Sequence, residues 1–369
     1  MRTNQRGIMK HISELEKTLS QILDWNKARL NCLVQILQAL FCVRTVNLVQ
    51  IAEACHTSVK EESTYRRLQR FFKGFSFDMS FIVVFVFNLF RMDGKFILIM
   101  DRTNWKWGKR HINILMLSVE HYGIGIPIFW SIVDGAGNSS TKERTALLKR
   151  VLQKFGSNRI EALLADREFI GEPWFRFLIE ENVPFVIRVK QNFMVGGLRM
   201  GYSIPIRELL KKFDNTKILL NHSVILWGHA LYASVEYARS AKEPMIVVSN
   251  QPFVNAIKTY RKRWGIETLF GCLKSRGFRM EDTHMTHPDK IEKLVFILAL
   301  AFCWAYKTGE MKSRQMKVAV KTHGRKAKSI FRIGLSEIRS ALLKGRAKIK
   351  QIISLITCFT SSKLERCAI

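Results

Sequence analysis

Tyr260, Arg263, Glu267 and Lys274 fall within the stretch TYRKRWGIETLFGCLKSRG at the spacing Y-x2-R-x3-E-x6-K. On a helix turning about 100° per residue they project at roughly 0°, 300°, 340° and 320°, an arc of about 60°. That arc holds an aromatic ring, two cations and one carboxylate. Ile266, Leu269 and Leu273 fall near 240°, 180° and 220° on the same wheel and give the opposite side an apolar stripe for burial. An ordinary amphipathic helix with an Arg263–Glu267 ion pair on its wet face would look the same, and such a pair is worth only tenths of a kcal/mol. A lone carboxylate among cations also suits a site where the acid holds a metal ion while its neighbours hold phosphate. Two acids upstream favour that second reading.

The first is Asp101, which ends the apolar run Phe96-Ile97-Leu98-Ile99-Met100 and begins DRTNWKWGKR. A run so short, with Gly94 on one side and charge on the other, reads as a buried strand delivering Asp101 at its end. HINILMLSV (111–119) and IGIPIFWSIV (124–133) follow, joined through the Gly123 and Gly125 region, and the three together predict an antiparallel meander. The second acid is Asp166, which closes IEALLAD after the helix-like TKERTALLKRVLQKF (141–155). An amphipathic segment from Glu172 to Glu181 and an apolar stretch from Pro184 to Val189 come next. The order β-β-β-α-β-α-β predicts an α/β fold, a mixed sheet flanked by helices, with both aspartates at strand ends, where open α/β sheets place their ligands. A strand-end Asp is also a common helix cap or turn former, and for either residue alone that reading stays open.

The set formed by Asp101 in IMDRTNW, Asp166 in LLADREF and Tyr260-Arg263-Glu267-Lys274 resembles the DDE transposases of bacterial insertion sequences, in the group marked by a Y-R-E-K signature, insertion-sequence family four. The resemblance covers about residues 90 to 305. It implies an RNase H-like fold with a β-rich insertion in the long gap between Asp166 and Glu267. It also implies that Asp101, Asp166 and Glu267 are the catalytic residues and the metal ligands, with Asp101 bridging two ions and each of the other acids completing one. The cofactor implied is Mg²⁺, for which Mn²⁺ substitutes. Two such ions roughly 4 Å apart can activate an attacking water or 3′-hydroxyl and stabilise the leaving oxygen of an in-line phosphoryl displacement, and hard oxygen ligands hold Mg²⁺ through only a few carboxylates. Tyr260, Arg263 and Lys274 would grip the DNA strand near the scissile phosphate, although a surface salt-bridge cluster is the plainer alternative for them. Asp134, in VDGAG, and Glu168, in DREF, are the competing carboxylates. DGAGN reads as a turn, and Glu168, two residues past a strand end, is expected to face the helix side.

Composition agrees with a polyanionic partner. Sixty Lys and Arg against thirty Asp and Glu leave a net charge of +30 and a pI near 10.1, the footprint of a protein that neutralises many phosphates. A protein of membrane surfaces could be equally basic. The longest apolar run, LVFILALAFCWAY (294–306), falls short of the eighteen or more residues that argue for a span and predicts a buried helix. FIVVFVF (81–87) predicts core or a strand, and no signal peptide opens the chain. The seven cysteines are scattered without CxxC spacing, which predicts reduced thiols in a cytoplasmic setting and argues against a zinc site. His284 and His287 in THMTHPD read as a loop, not half a metal site.

Five regions are expected: a helical DNA-binding domain (1–90), the first part of the catalytic core (91–189), the β-rich insertion (190–250), the second part of the core with the signature helix (251–306) and a basic C-terminal helical region (307–369). In the first, CLVQILQALFCV, VNLVQIAEAC and EESTYRRLQRFFKG read as successive helices, with a break at His56–Val59. Arg66, Arg67 and Arg70, beside Tyr65 on the third, predict a helix-turn-helix-like element docking on DNA, or else solvated arginines on a bundle. Trp227, Tyr232 and Tyr237 alternate in an expected hairpin of the insertion; core packing is expected of all three, the alternative implied by the resemblance being an aromatic that stacks on a displaced base. Residues 307–350 carry fourteen Lys or Arg and two acids, a stretch that repels itself unless it meets a polyanion. Within it, 308–330 reads as a basic arm, and GLSEIRSALL with IKQIISLITCF as a helical hairpin.

The function implied is that of a transposase. It would cleave DNA at element ends in a metal-dependent step and join the freed 3′-hydroxyl to target DNA. Its partners would be double-stranded DNA (terminal inverted repeats and target) and a second copy of itself, with no membrane, in the bacterial cytoplasm on the nucleoid. Two alternatives remain: a metal-dependent structure-selective nuclease, which cuts without joining, and an inactive DNA-binding descendant of a transposase, which does neither.

Overall fold

Asparagine caps start two helices near the beginning of the chain, after a helical stretch at 14–20. In the computed structural model, Asn26 accepts from the Arg29 amide ahead of α1 (Lys27–Val43), and Asn47 accepts from the Val49 and Gln50 amides ahead of α2 (Leu48–Ala54), each satisfying orphan donors of a first turn. The residues described are 14–21, 23–55, 59–74, 78, 80–133, 135–196, 203–211, 218–237, 243–315, 319, 322 and 327–344. The chain divides into two units, Gly94–Leu269 and Met1–Asp93 together with Phe270–Ile369. After α2 comes α3 (Glu61–Lys73), with Glu61 and Glu62 in its first turn and Arg70 and Lys73 in its last, charges that oppose the helix dipole at both ends. The three helices expected in this region are present, although most of the expected break between the last two, 56–58, lies outside the described residues. The FIVVFVF run is a helix, α4 (Ser80–Phe90), and not a strand. Its β-branched residues favour a strand locally, but the segment is apolar on nearly every face and buries Ile82, Val83, Phe85, Val86, Phe87, Leu89 and Phe90, so packing overrides propensity.

The second unit is built on the meander of β1 (Phe96–Trp107), β2 (Arg110–His121) and β3 (Ile124–Val133), antiparallel throughout. α5 (Thr141–Phe155) then crosses over to β4 (Ile160–Ala165), which runs parallel to β1. The start of α5 is fixed by a capping box between Ser140 and Glu143. α6 (Glu172–Glu180) leads to β5 (Phe185–Val189), parallel to β4. The order β-β-β-α-β-α-β expected from the sequence is therefore observed. β6 (Met194–Gly196), β7 (Ser203–Pro205), the short helix α7 (Ile206–Lys211), β8 (Ile218–Leu226), β9 (His229–Glu236) and β10 (Met245–Ser249) complete one mixed ten-stranded sheet in the order β3-β2-β1-β4-β5-β10-β9-β8-β6-β7. The strands between residues 190 and 250 thus extend the central sheet. Trp227, at the β8–β9 turn, packs edge-on against Phe175 and Phe193 at 5.4 and 5.6 Å but stays 37% exposed, so it is not the core residue expected. The unit closes with α8 (Ala256–Arg261) and the start of α9 (Trp264–Leu273).

The first unit resumes with α10 (Pro288–Gln315), which contains LVFILALAFCWAY. It is long and apolar enough to cross a membrane, but 83% of its apolar window is buried inside the protein, and a helix apolar all round is a core helix when its neighbours cover it. α11 (Ile330–Leu343) crosses it where both lack side chains: a Cβ on Gly334 would lie 1.7 Å from the Ala305 carbonyl oxygen, and one on Gly309 1.9 Å from that of Ile330. The first part of the expected basic arm at 308–330 is helical, because α10 carries through Lys312 and Arg314 to Gln315, and most of 316–326 lies outside the described residues. GLSEIRSALL is helical within α11, whereas IKQIISLITCF lies outside the described residues.

Candidate active site

Two strand registers bring the aspartates together. β1 pairs with β4 in parallel up to Met100 opposite Ala165, and the next residue on each strand is Asp101 and Asp166. Asp166 lies just past the end of β4, as expected. Asp101 does not end its strand: β1 continues to Trp107 because its hairpin with β2 persists, with Asp101 opposite Met116. Only the parallel ladder stops there, and that is the boundary that positions both acids.

Asp101 is 10% exposed in its side chain, and its Oδ2 accepts from Nη1 of Arg263 at 2.6 Å. Its Oδ1 accepts from the Arg102 amide at 2.7 Å. Burial pushes its carboxyl up to about 7, against the downward pull of Arg263 and the Arg102 amide, and the charges of Glu267 and Asp166 add to the rise. Arg263 Nη2 stands 3.5 Å from Oε1 of Glu267. Burial draws the Arg263 guanidinium down, but Asp101, Tyr260, Asp166 and Glu267 outweigh it and hold its pKa above the usual arginine range. All three acids therefore act on one guanidinium. Tyr260 is buried beside it, its ring centroid 6.0 Å from the guanidinium carbon, and burial raises the phenol.

The signature stretch is not one helix. α8 ends at Arg261 and α9 begins at Trp264, so Arg263 occupies the break and is free to turn toward Asp101. The shared arc expected of a single helix is accordingly split, although Ile266, Leu269 and Leu273 are buried as expected. Lys274 lies past the end of α9, and its Nζ pairs with Glu281 at 2.7 Å. It belongs to the other unit. The height of α9 on the sheet depends on Gly265, where a Cβ would meet the backbone of Ile124 and Gly125 at 2.9 and 3.0 Å. Only a residue without a side chain lets Glu267, two positions on, come this close to the meander.

Glu168 takes part in a different contact. Its Oε1 and Oε2 accept from Nε and Nη2 of Arg102 at 3.1 and 3.2 Å, a two-point ion pair. Arg102 Nη1 also donates to the Gly137 carbonyl at 2.9 Å. The buried Arg144 on α5 donates to Ser139 Oγ at 2.9 Å and to the Glu168 carbonyl at 3.2 Å, and stacks over Phe169. The Glu168 amide donates to Asp166 Oδ1 at 2.7 Å. This network holds the turn that carries Asp166, and sequence reading missed Arg102 and Arg144. An arginine directly after Asp101 and another in a helix's first turn were the available signals. Trp264, 68% exposed beside Arg263, was also missed. Asp134 lies outside the described residues.

Asp101, Asp166 and Glu267 offer hard oxygen donors suited to Mg²⁺. Among the described residues no three His, Cys, Asp or Glu side chains are gathered at coordinating range of one point. The positive charge between the acids is the Arg263 guanidinium. The donor chemistry suits a hard cation, although the three acids are not gathered on one point among the described residues. On the helical unit, Arg66 and Arg70 line a common cavity with His284 and His287, and the histidines stand in a loop, as expected. Arg67 parts from them and donates to Asn31 Oδ1 at 2.6 Å. Five cysteines, 32, 42, 55, 272 and 303, are free thiols.

A family model described as "Transposase DDE domain" matches residues 92–304. No curated protein matches the chain. Among solved structures, a piggyBac transposase synaptic complex with hairpin DNA is similar at 13% identity over 98% of this chain and 80% of that one, with a TM-score of 0.44. A point variant of Ciona intestinalis endonuclease V, in complex with a 23mer DNA containing an inosine, is similar at 12% identity over 48% of this chain and 82% of that one, with a TM-score of 0.30. The Bacillus subtilis endonuclease V is similar at 10% identity over 66% and 92%, with a TM-score of 0.22.

Proposed function

Because this chain belongs to the transposase DDE domain family, we propose that it cleaves DNA at the ends of a bacterial insertion sequence and transfers the 3′-hydroxyl into target DNA. The observation that carries this reading is the pairing of Asp101 and Glu267 with one guanidinium, together with the β1–β4 ladder that ends immediately before Asp101 and Asp166. Tyr260, Arg263, Glu267 and Lys274 at Y-x2-R-x3-E-x6-K spacing support assignment to insertion-sequence family four.

Asp101, Asp166 and Glu267 would hold Mg²⁺, or Mn²⁺ in its stead. Bound there, the metal would activate the attacking oxygen and stabilise the leaving one. The chain supplies position. The Arg102–Glu168–Arg144 network fixes the turn carrying Asp166, and Gly265 sets the approach of Glu267. Arg263, whose charge stays on at any physiological pH, neutralises Asp101 and is the nearest cation for an incoming phosphate. Tyr260 backs Arg263, and the exposed Trp264 offers a face on which a base can stack. Lys274 serves as a phosphate contact. The net charge of +30 favours duplex DNA, terminal repeats and target alike, as partner. The protein works as a homodimer on DNA in the bacterial cytoplasm.

The test is to incubate the protein with duplex DNA from its own genomic flanks, with and without Mg²⁺, and to map product ends. Nicking at the element ends followed by joined products is expected. Cutting without joining would make it a nuclease, and no divalent-dependent nicking would leave only DNA binding. Asp166→Ala is expected to abolish nicking and to retain DNA binding; a variant that cuts normally would show the site to be misassigned.

A further inference from the structure

One cavity of the helical unit is walled by a single sign of charge. It encloses about 830 Å³ between α3, which contributes Arg66, Arg70 and Lys73, and the segment leading into α10 with that helix's first turn, which contribute His284, His287 and Lys290. No Asp or Glu is among its lining residues. The three cations of α3 recur at i, i+4 and i+7, one stripe about 10 Å long at 1.5 Å per residue. Along one DNA strand the phosphates advance about 3.4 Å each, so the stripe spans about three of them.

Contacts within the same unit hold the two walls together. Lys293 on α10 donates to the Phe72 carbonyl of α3 at 3.0 Å, and Thr45, between α1 and α2, donates to Asp282 just ahead of the second wall at 2.9 Å. Those contacts also account for nearby acids: Asp282 is engaged by Thr45, and Glu281 by Lys274 at 2.7 Å. Asp289 stands 3.8 Å from Nδ1 of His287 but is not among the lining residues, which include four permanent cations. A groove built this way keeps its like charges close at a cost in mutual repulsion, which a polyanion removes.

We propose that this groove binds the sugar–phosphate backbone of duplex DNA, with α3 on one side and residues 284–290 on the other. The choice of DNA as the polyanion rests on the transposase reading; the anion-binding character does not. The composite surface joins parts of the chain far apart in sequence, so a DNA-contacting role for His284, His287 and Lys290 is not visible from the helix alone.

The experiment uses the full chain without divalent ions and a labelled random-sequence duplex, with binding followed by fluorescence anisotropy over a salt series. Arg70→Ala and Lys290→Ala remove one cation from each wall. Each is expected to weaken binding several-fold and to reduce the slope of log affinity against log salt by about 0.9, whereas Arg70→Lys keeps most of the slope. Should either alanine variant fail to fold, Lys73→Ala, on an exposed side chain, carries the same expectation. Wild-type affinity and slope in folded variants would overturn the proposal, as would tighter binding of single-stranded RNA or polyglutamate than of duplex. Wild-type nicking, measured separately, keeps the two readings apart: its absence sinks the transposase reading alone, and unchanged variant binding beside intact nicking sinks the groove alone.

Discussion

Replacing Asp101 with Asn isolates the electrostatic cost of the site. The Asp101 carboxyl titrates at about 7 in the folded protein and at about 3.9 in an unfolded chain. A raised carboxyl favours the fold only while protonated. Its contribution is fully present below about pH 4 and is lost as pH rises through about 7. The difference of about three pKa units corresponds to about 4 kcal/mol. Asparagine cannot ionise, so the variant escapes this loss, but it also leaves the Arg263 guanidinium, 11% exposed, with Glu267 at 3.5 Å as its remaining ion pair. That forfeits part of the gain, and we expect a net stabilisation of about 2–3 kcal/mol at about pH 9 and none at about pH 4. At about 2–4 °C per kcal/mol for a unit of this size, the melting temperatures should diverge by roughly 4–12 °C at the alkaline end. Differential scanning calorimetry of both proteins across that range reads the divergence directly. Parallel curves, or a variant less stable at alkaline pH, would refute the reasoning.

Three further outcomes follow from the same geometry. Arg263→Ala removes the counter-ion from a buried carboxylate and is expected to destabilise by about 3–5 kcal/mol above the Asp101 pKa and by much less near pH 5, where Asp101 is protonated; chemical denaturation at the two pH values checks this. Gly265→Ala presses a methyl group into the Ile124–Gly125 backbone and should cost about 1–3 kcal/mol and slow cleavage by displacing Glu267, whereas an unchanged cleavage rate would show that the close approach is unimportant. Trp264→Ala should weaken binding of end DNA by about 1–3 kcal/mol if a base stacks there, read as an affinity difference between duplexes with paired and unpaired ends.

The sequence made most of the sheet legible because its strands are short apolar runs cut by Gly, Asn or charge, and because periodicity and turn residues are local properties. Asp166 was found at a strand end for that reason. The position of Asp101 inside β1 was not legible, since the strand continues through NWKW only by pairing with β2, a contact no window of sequence contains. The α8–α9 break was hidden likewise: TYRKRWGIE has no proline and reads as continuous helix, yet Arg263 turns out of the helix toward a buried acid from β1. FIVVFVF was legible as core but not as helix, because its β-branched residues favour a strand locally while tertiary packing buries them in a helix. Arg67 could not be distinguished from Arg66 and Arg70 by type or neighbourhood. Its partner Asn31 lies on another helix. The two-point ion pair between Arg102 and Glu168 is likewise a contact that sequence spacing does not announce.

The central claim is that Asp101, Asp166 and Glu267 converge on a site for divalent cations. Anomalous diffraction from crystals soaked in Mn²⁺ tests it most directly. The account predicts anomalous density bound by Asp101 and Asp166, with Glu267 completing the site and the Arg263 guanidinium withdrawn from Asp101. Crystals saturated with Mn²⁺ that show no density among the three acids, with Arg263 still paired to Asp101, would contradict it.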